Sequence, residues 1–230
     1  MSQSSVDGHR PGRIVVVAGT ATEVGKTWVA AHVARELIAG GTTVAVRKPV
    51  QSFDVGDGAT DAHVLAEASG EDTTEVCPHH RWYEVAMAPP MAADALGRPP
   101  FTIADLALEL GWPIVRPQVG LVEAAGGVRS PLARDGDTVT LVEALQPELV
   151  ALVADAGLGT INGVRLAVEA LDRGAHVASL AVFLNRFDGT DDLHRRNLDW
   201  LRRRCGLDVV TAVPDLSTRV RGDEARPSRA

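Results

Sequence analysis

The segment that most constrains this fold is Gly19-Thr-Ala-Thr-Glu-Val-Gly25-Lys26-Thr27, set between a continuous β-branched run and a helix-forming stretch. Residues 13–18 read as a buried strand, since 14–17 is a continuous β-branched run in which no polar residue alternates with the apolar ones. Lys26–Ala39 reads as a helix, with Val29, Val33 and Leu37 on one face and Gly40-Gly41 as its stop. Strand, glycine-bearing loop and a helix opening on Lys-Thr together make a cradle for phosphate. Backbone N–H groups around Gly25 and the helix N-terminus point at an anion, Lys26 reaches the terminal phosphates, and the Thr27 hydroxyl can ligate Mg²⁺. Gly19 lies one residue further from Gly25 than the usual spacing, and Thr20 holds the usual position. The segment predicts a nucleoside triphosphate site at the end of a buried strand.

The rest of the chain alternates in the same way. Further strands are expected at 43–46, 120–123, 149–154, 177–184 and 208–212. Helices are expected at 59–68, 102–110, 138–145, 162–172 (closed by Gly174) and 193–205 (capped by Gly206). Such alternation predicts an α/β fold, a single doubly wound, mainly parallel sheet with helices on both faces. Residues 13–218 are expected to form this one P-loop domain, with 1–12 a disordered N-terminal segment and 219–230 a polar tail. Residues 74–100, with proline at 78, 89, 90, 99 and 100, are expected to form loops and short helical pieces, as a lid or a pocket edge.

Charge and composition exclude several function classes. A net charge of −7 argues against nucleic acid or an anionic membrane as partner. Four Phe, four Trp and one Tyr are too few for a base-stacking platform. No apolar run is long enough to span a bilayer, and residues 1–12 lack the apolar core of a secretion signal. Cys77 and Cys205 fit no metal spacing and read as free thiols in a reducing cytoplasm. His79-His80, in a proline-flanked loop, reads as solvated rather than metal-binding, and 202–204 as an exposed helix face. Among the 23 basic residues only Lys26 and Lys48 are lysine. A guanidinium is a wide planar fork and an ammonium a compact point charge, so a loop wrapped tightly round phosphate needs the latter.

Three further clusters fall at strand ends, where an open α/β sheet gathers its ligand. Lys48-Pro49-Val50-Gln51-Ser52 follows the second strand, so Lys48 can face the same phosphates as Lys26. Leu121-Val-Glu123-Ala-Ala-Gly126-Gly127 places an acid, suited to Mg²⁺, before small residues that let backbone N–H groups approach an anion. Asp61, in a Gly/Asp-rich turn, is a second metal carboxylate candidate, with Asp54 and Asp57 as competing turn residues.

In this order, these pieces resemble the dethiobiotin synthetase family, and Gly157-Leu-Gly-Thr-Ile-Asn162 and Leu184-Asn185-Arg186 extend the likeness to about 13–215. The resemblance implies an ATP- and Mg²⁺-dependent ring closure of 7,8-diaminononanoate with CO₂, through a carbamate and a carbamic-phosphoric anhydride. It implies that Glu23, Val24, Gly25, Lys26, Thr27 and Trp28 cradle the phosphates, and that Lys26 and Lys48 stabilise charge during transfer. Thr27, Asp61 and Glu123 would hold the metal, and the turn Glu123, Ala124, Ala125, Gly126 would contact nucleotide and substrate. Asn185 and Arg186, with Val213, Pro214 and Asp215, would border the base. Thr22 and Ser52 would bind the diamine, joined by Gly159, Thr160, Ile161 and Asn162 reaching across a homodimer. Three positions depart from the family pattern: Phe53 and Ala124 replace glycines, and Gly163 replaces a histidine. Ala124 is expected to risk crowding the phosphates. Lys48→Arg is expected to cripple turnover with the fold intact.

Two other readings stay open. A nucleotide switch is one: the partitioning type carries a lysine early in its phosphate loop, absent from 19–25, while Asn185-Arg-Phe-Asp188 has the spacing of a guanine-reading motif. Another ATP-dependent ligase of the same superfamily is the second. It would differ by a glutamine-hydrolysing domain, for which 230 residues leave no room.

Overall fold

The computed structural model describes residues 9–56, 58–175 and 177–223. In chain order the elements are β1 (Arg13–Gly19), α1 (Lys26–Ala39), β2 (Val44–Arg47), β3 (Gln51–Ser52), α2 (Asp61–Ser69), α3 (Thr73–Val76), β4 (Trp82–Tyr83), α4 (Pro89–Ala95) and α5 (Ile103–Leu108). They continue as β5 (Val119–Glu123), β6 (Pro131–Ala133), β7 (Gly136–Asp137), α6 (Thr138–Leu145), β8 (Leu149–Asp155), α7 (Thr160–Ala175), β9 (Leu180–Asn185), α8 (Asp192–Arg203), β10 (Val209–Val210) and α9 (Val213–Arg221). The main sheet has the order β10-β9-β8-β1-β5-β2. Its strand pairs are parallel.

The strand that carries the phosphate loop is central, with β5 on one side and β8 on the other. The strand order reverses at β1, which is where a doubly wound sheet opens a ligand crevice. Register fixes what lines that crevice. Val17 pairs with Glu123, Gly19 with Val153, and Asp155 with Asn185, so Gly19, Glu123, Asp155 and Asn185 all lie at one edge of the sheet.

Alternation along β1 divides the core in two. Ile14, Val16 and Ala18 face the layer that contains Leu141 and Val142 of α6, Val164 and Leu171 of α7, and Leu201 of α8. Val15 and Val17 face Val29, Val33 and Leu37 of α1, Leu65 of α2, and Leu216 and Val220 of α9. Two-residue periodicity thus gives each face of the strand its own apolar layer, which is why 14–17 carries no polar residue.

Several boundaries differ from expectation. Gly174 does not close a helix; it lies inside α7, where an added Cβ would fall on Val139, so its bareness lets α7 pack closely on α6. Residues 219–221, expected in the tail, are the last turn of α9, which buries Leu216, Ser217 and Val220 and ends at Gly222 in a left-handed cap. An arginine-rich stretch hid that apolar stripe. Of the N-terminal segment, His9 and Gly12 donate backbone hydrogen bonds to the carbonyls of Pro113 and Pro117, and Pro11 is buried, so ordered structure begins before Arg13. Residues 1–8 and 224–230, with Asp57, lie outside the described residues. Residues 208–212 contribute only the two-residue β10. The proline-rich span 74–100 does break into short pieces, among them α4, which starts on Pro89-Pro90, positions where the missing N–H costs nothing. Among the described residues, no helix is long and apolar enough to cross a membrane.

Candidate active site

The loop between β1 and α1 is held in a backbone shape that few residues accept. Gly25, at the N-cap of α1, has φ 90°, and no side chain caps the helix. The first-turn N–H groups therefore have no side-chain acceptor and await an anion. Of the three non-glycine residues in the left-handed region among the described residues, two lie here, Glu23 at φ 61° and Arg186 at φ 55°. They face each other: Arg186 Nη2 donates to the Glu23 carbonyl at 2.9 Å, and its Nη1 meets Asp155 Oδ2 at 3.0 Å. Asn185 Nδ2 donates to the Val24 carbonyl at 2.9 Å and lies so close beneath Gly25 that a Cβ there would fall on it. The offset Gly19 is explained by Lys26, whose Cδ would be 2.9 Å from a Cβ at position 19. The lysine stem folds back over that glycine, and its Nζ reaches the Ala21 carbonyl at 3.2 Å.

Behind this loop, the two lysines, Asp61, Glu123 and Thr27 gather. Lys48, 2% exposed, donates to Glu123 Oε1 at 2.6 Å and to Asp61 Oδ2 at 2.7 Å. Thr27 Oγ1 lies 2.8 Å from Asp61 Oδ1 and 2.9 Å from Glu123 Oε1, and its single proton can serve one of them at a time. Glu123 Oε2 is buried without a partner. Formal charges cancel, two ammonium groups against two carboxylates. Burial works against the Lys48 charge, but Asp61 and Glu123 outweigh it and hold its pKa above the ordinary lysine value. The Lys48 ammonium draws the Asp61 carboxyl below the usual range. Burial pushes Glu123 up, against the pull of Lys48. Burial, then repulsion from Lys48, lowers Lys26.

Can this set take a divalent cation? Thr27 Oγ1, Asp61 Oδ1 and Glu123 Oε1 converge within hydrogen-bond distance, and Glu123 has a further oxygen unused. All are hard oxygen donors, as Mg²⁺ requires, and a magnesium site usually draws its remaining ligands from water and phosphate. The residues fit. Among the described residues, no group of three or more His, Cys, Asp or Glu side chains could hold a metal, so no protein-only cage competes.

A cleft of about 780 Å³ opens over this cluster, lined by Thr22, Glu23, Gly25, Lys26, Thr27, Lys48, Gln51, Ser52, Asp61, Glu123, Ala125, Gly126, Ser130 and Arg186, with residues 86–89 as one rim. A second cavity of about 540 Å³ adjoins at Gly25 and Arg186, walled by Trp28, Phe183, Asn185, Phe187, Thr211, Ala212 and Val213. Ser52 Oγ donates to the Met87 carbonyl at 2.6 Å, tying the end of β3 to the rim.

The remaining candidates divide by position. Val24 and Ala124 line neither cavity; both are buried, and Ala124 spends its N–H on the Val17 carbonyl. The expected crowding by Ala124 is therefore absent, because its methyl is packed inside and the cleft wall is Ala125 and Gly126. Phe53 packs edge-on against Trp82, and a Cβ on Gly163 would meet only Thr20, at 3.6 Å, an ordinary contact. Trp28 is half-exposed and stacks on His32. Pro214 and Asp215 sit in the first turn of α9 and line neither cavity, while Val213 does. Gly159 precedes α7 and Thr160, Ile161 and Asn162 open it, all outside both cavities; Asn162 borders a separate groove with Arg165 and Trp200. Asp188 of the guanine-reading spacing lines neither cavity, and its Oδ1 accepts from both the N–H and hydroxyl of Thr190. His80 pairs with Glu109, and His79 lies against Trp82. The sequence assigns no role to Gln51 or Ser130, and of the two only Gln51 carries a trace, as a polar residue in a strand-end run. The 86–89 rim falls inside 74–100, the stretch expected at a pocket edge.

Comparison with known proteins agrees with this geometry. A family model described as an AAA domain matches residues 13–221. ATP-dependent dethiobiotin synthetase BioD of Streptomyces coelicolor is 36% identical over 203 residues, covering 87% of this chain and 83% of that protein. The synthetases of Rhodococcus jostii (38% over 213 residues; 90% and 88%) and Anaeromyxobacter dehalogenans strain 2CP-C (37% over 217; 91% and 94%) are similar in the same way. Among solved structures, a plasmid partition protein from Borrelia burgdorferi shares the fold, with a TM-score of 0.57 at 10% identity over 94% of this chain and 98% of that one. A DUF1611 family protein from Anabaena variabilis gives 0.52 at 15% identity, with 97% of this chain matched and 61% of that one. The cleft with its paired lysines and a likeness over about nine-tenths of the chain lead to one assignment: this chain belongs to the ATP-dependent dethiobiotin synthetase family.

Proposed function

We propose that the protein is an ATP-dependent ligase of biotin biosynthesis that closes 7,8-diaminononanoate and CO₂ into dethiobiotin. One amine adds to CO₂ to give a carbamate, whose oxygen takes the γ-phosphoryl group as ADP leaves. The second amine attacks the carbonyl of that mixed anhydride and expels phosphate, closing the cyclic urea. The observation that carries this reading is the meeting of Lys26 and Lys48 in one cleft with Asp61, Glu123 and Thr27.

The chain's own groups have distinct parts in it. The triphosphate lies along the open N-terminus of α1, and Lys26 neutralises its terminal charge. Lys48 keeps its proton, because Asp61 and Glu123 face it, so it acts through charge and not as a base. Mg²⁺ held by Thr27, Asp61 and Glu123 would supply neutralisation of the transferring phosphoryl group. Ser52 and Thr22 hold the diamine, and the 86–89 rim limits water while the anhydride exists. Asn185, Arg186 and Val213 border the base, with Pro214 and Asp215 behind them. Gly159, Thr160, Ile161 and Asn162 lie outside the cleft, which supports a homodimer in which this turn completes the partner's diamine site. A cytoplasmic enzyme without nucleic-acid or membrane partners accords with the composition.

Phosphate release from ATP is expected only when the diamine and bicarbonate are both supplied. A phosphate assay omitting each in turn checks this. Turnover without the diamine, stimulated by DNA or by another protein, would favour the nucleotide-switch reading.

A second expectation concerns pH. The Lys26 pKa is lowered in the free protein, so Lys26 loses its proton below its ordinary 10.5; bound phosphates draw that proton back. Affinity for an ATP analogue should therefore fall as pH rises through the free-protein value, with proton uptake on binding in that range. Calorimetry in buffers of differing ionisation enthalpy measures both. Affinity unchanged up to pH 10.5 would show that Lys26 is not depressed.

A further inference from the structure

Gln51 stands in the wall of the cleft with half of its amide unused. It is 2% exposed, and it separates Lys48-Pro49-Val50 from Ser52. Its Oε1 accepts the Ala62 N–H at 3.0 Å, in the first turn of α2 beside Asp61. That bond fixes which end of the amide is which, because the flipped amide would set an NH₂ group against an N–H. Nε2 is then a buried donor with no partner in the protein. Donors in that state cost folding free energy and are kept where something else accepts from them.

We propose that Gln51 binds the carbamate, donating from Nε2 to the carbamate oxygen that does not attack phosphorus. This rests on the ring-closure reading above. The triphosphate already has Lys26 and the α1 N-terminus, whereas Gln51 lies beside Lys48 and Ser52 in the run that follows β2. A carbamate presents two oxygens, and the attacking one must keep its lone pair for phosphorus. A neutral N–H aimed at the other oxygen orients the group without quenching the nucleophile. When the second amine attacks, negative charge develops on that same oxygen, so the bond strengthens as the ring closes. Gln51 exchanges no proton in either step: the proton shed by the second amine as the ring closes leaves with the expelled phosphate, and the amide contributes a hydrogen bond alone. The Oε1 bond to Ala62 keeps the amide from rotating away.

Two variants separate this role from a structural one. Gln51→Glu keeps an acceptor for the Ala62 N–H and withdraws the donor; Gln51→Leu withdraws both and adds no charge. Each is mixed with ¹³C-bicarbonate and diaminononanoate without ATP, and the protein-bound carbamate resonance is followed by NMR. Affinity for an ATP analogue reports whether the fold and phosphate loop survive. Both variants are expected to lose the carbamate signal and to raise the KM for bicarbonate by about 10–100-fold, the loss of a hydrogen bond to a charged group. ATP affinity should hold in Gln51→Glu. A Gln51→Glu protein with wild-type carbamate signal and KM would reduce Gln51 to its tie with Ala62 and overturn the proposal. Normal behaviour of Gln51→Leu would overturn it too, by tracing any Glu effect to charge. Were the wild-type protein to form neither carbamate nor cyclic product, the ring-closure reading itself would fall and take this one with it.

Discussion

Lys48→Arg is expected to lower kcat by about 10³-fold, the scale of losing one aligned charge on a transferring phosphoryl group. Lys48 is enclosed, with Glu123 at 2.6 Å and Asp61 at 2.7 Å on its single nitrogen. A guanidinium spreads its charge over three nitrogens and needs a wider slot, so it cannot meet both carboxylates and also face the cleft. The enclosure also changes what the sequence suggested about the fold. A larger group in a packed site costs about 1–3 kcal/mol, which corresponds to a fall in Tm of about 2–4 °C for each kcal/mol in a chain of this size. Loss of turnover is thus expected to come with the fold intact but a lower Tm. Lys48→Met should be worse for stability, by about 3–5 kcal/mol, because two carboxylates lose their counter-charge. Steady-state kinetics and a thermal melt on the same preparation check both. A Lys48→Arg enzyme within about tenfold of the parent would remove Lys48 from phosphoryl transfer.

Gly25→Ala is expected to weaken ATP binding by about 100-fold or more. Holding a non-glycine residue at φ 90° costs about 1–3 kcal/mol. The new methyl would also displace the Asn185 amide from the Val24 carbonyl, forfeiting a hydrogen bond worth about 1 kcal/mol. The free loop of this variant relaxes out of the cradle shape, so restoring it on binding charges both costs to affinity, roughly two decades. Gly70→Ala is the control. Gly70 has φ 78° but nothing within 4 Å of an added Cβ, at the far end of α2. It should cost stability and leave ATP affinity unchanged. Calorimetric titration of both variants distinguishes backbone strain alone from strain at the phosphate loop. Equal affinities for the two would show that the Asn185 contact does not shape the loop.

The comparison of these glycines shows how far sequence carries. Gly25 announces itself through its neighbours, a β-branched run before and Lys-Thr after. Gly19 is displaced by one position from the usual spacing, and the Lys26 stem that lies across it is the reason. Gly174 looked like a helix stop because glycine after an amphipathic run usually is one; in fact it is where two helices touch. Asp61 could not be separated from Asp54 and Asp57 by composition, since all three suit a turn. The contact with Lys48 selects it. Ala124 read as a threat to the phosphates because adjacency in sequence was taken for adjacency in space. At the end of β5 the chain turns its methyl inward and presents Ala125 instead.

What the sequence alone determined was whatever acts within one turn or one strand. The buried parallel strand, the loop that follows it and the helix that opens on Lys26 are set by β-branching, by the freedom of glycine and by hydrogen bonds a few residues long. What the tertiary structure decided was which distant charges meet. Glu123 and Lys48 are 75 positions apart, and they touch because β5 is inserted between β1 and β2 in the sheet. Strand order depends on how whole apolar faces are buried, a property of the assembled layers. The spare N–H of Gln51 is fixed in the same way, by the α2 backbone that satisfies its other end.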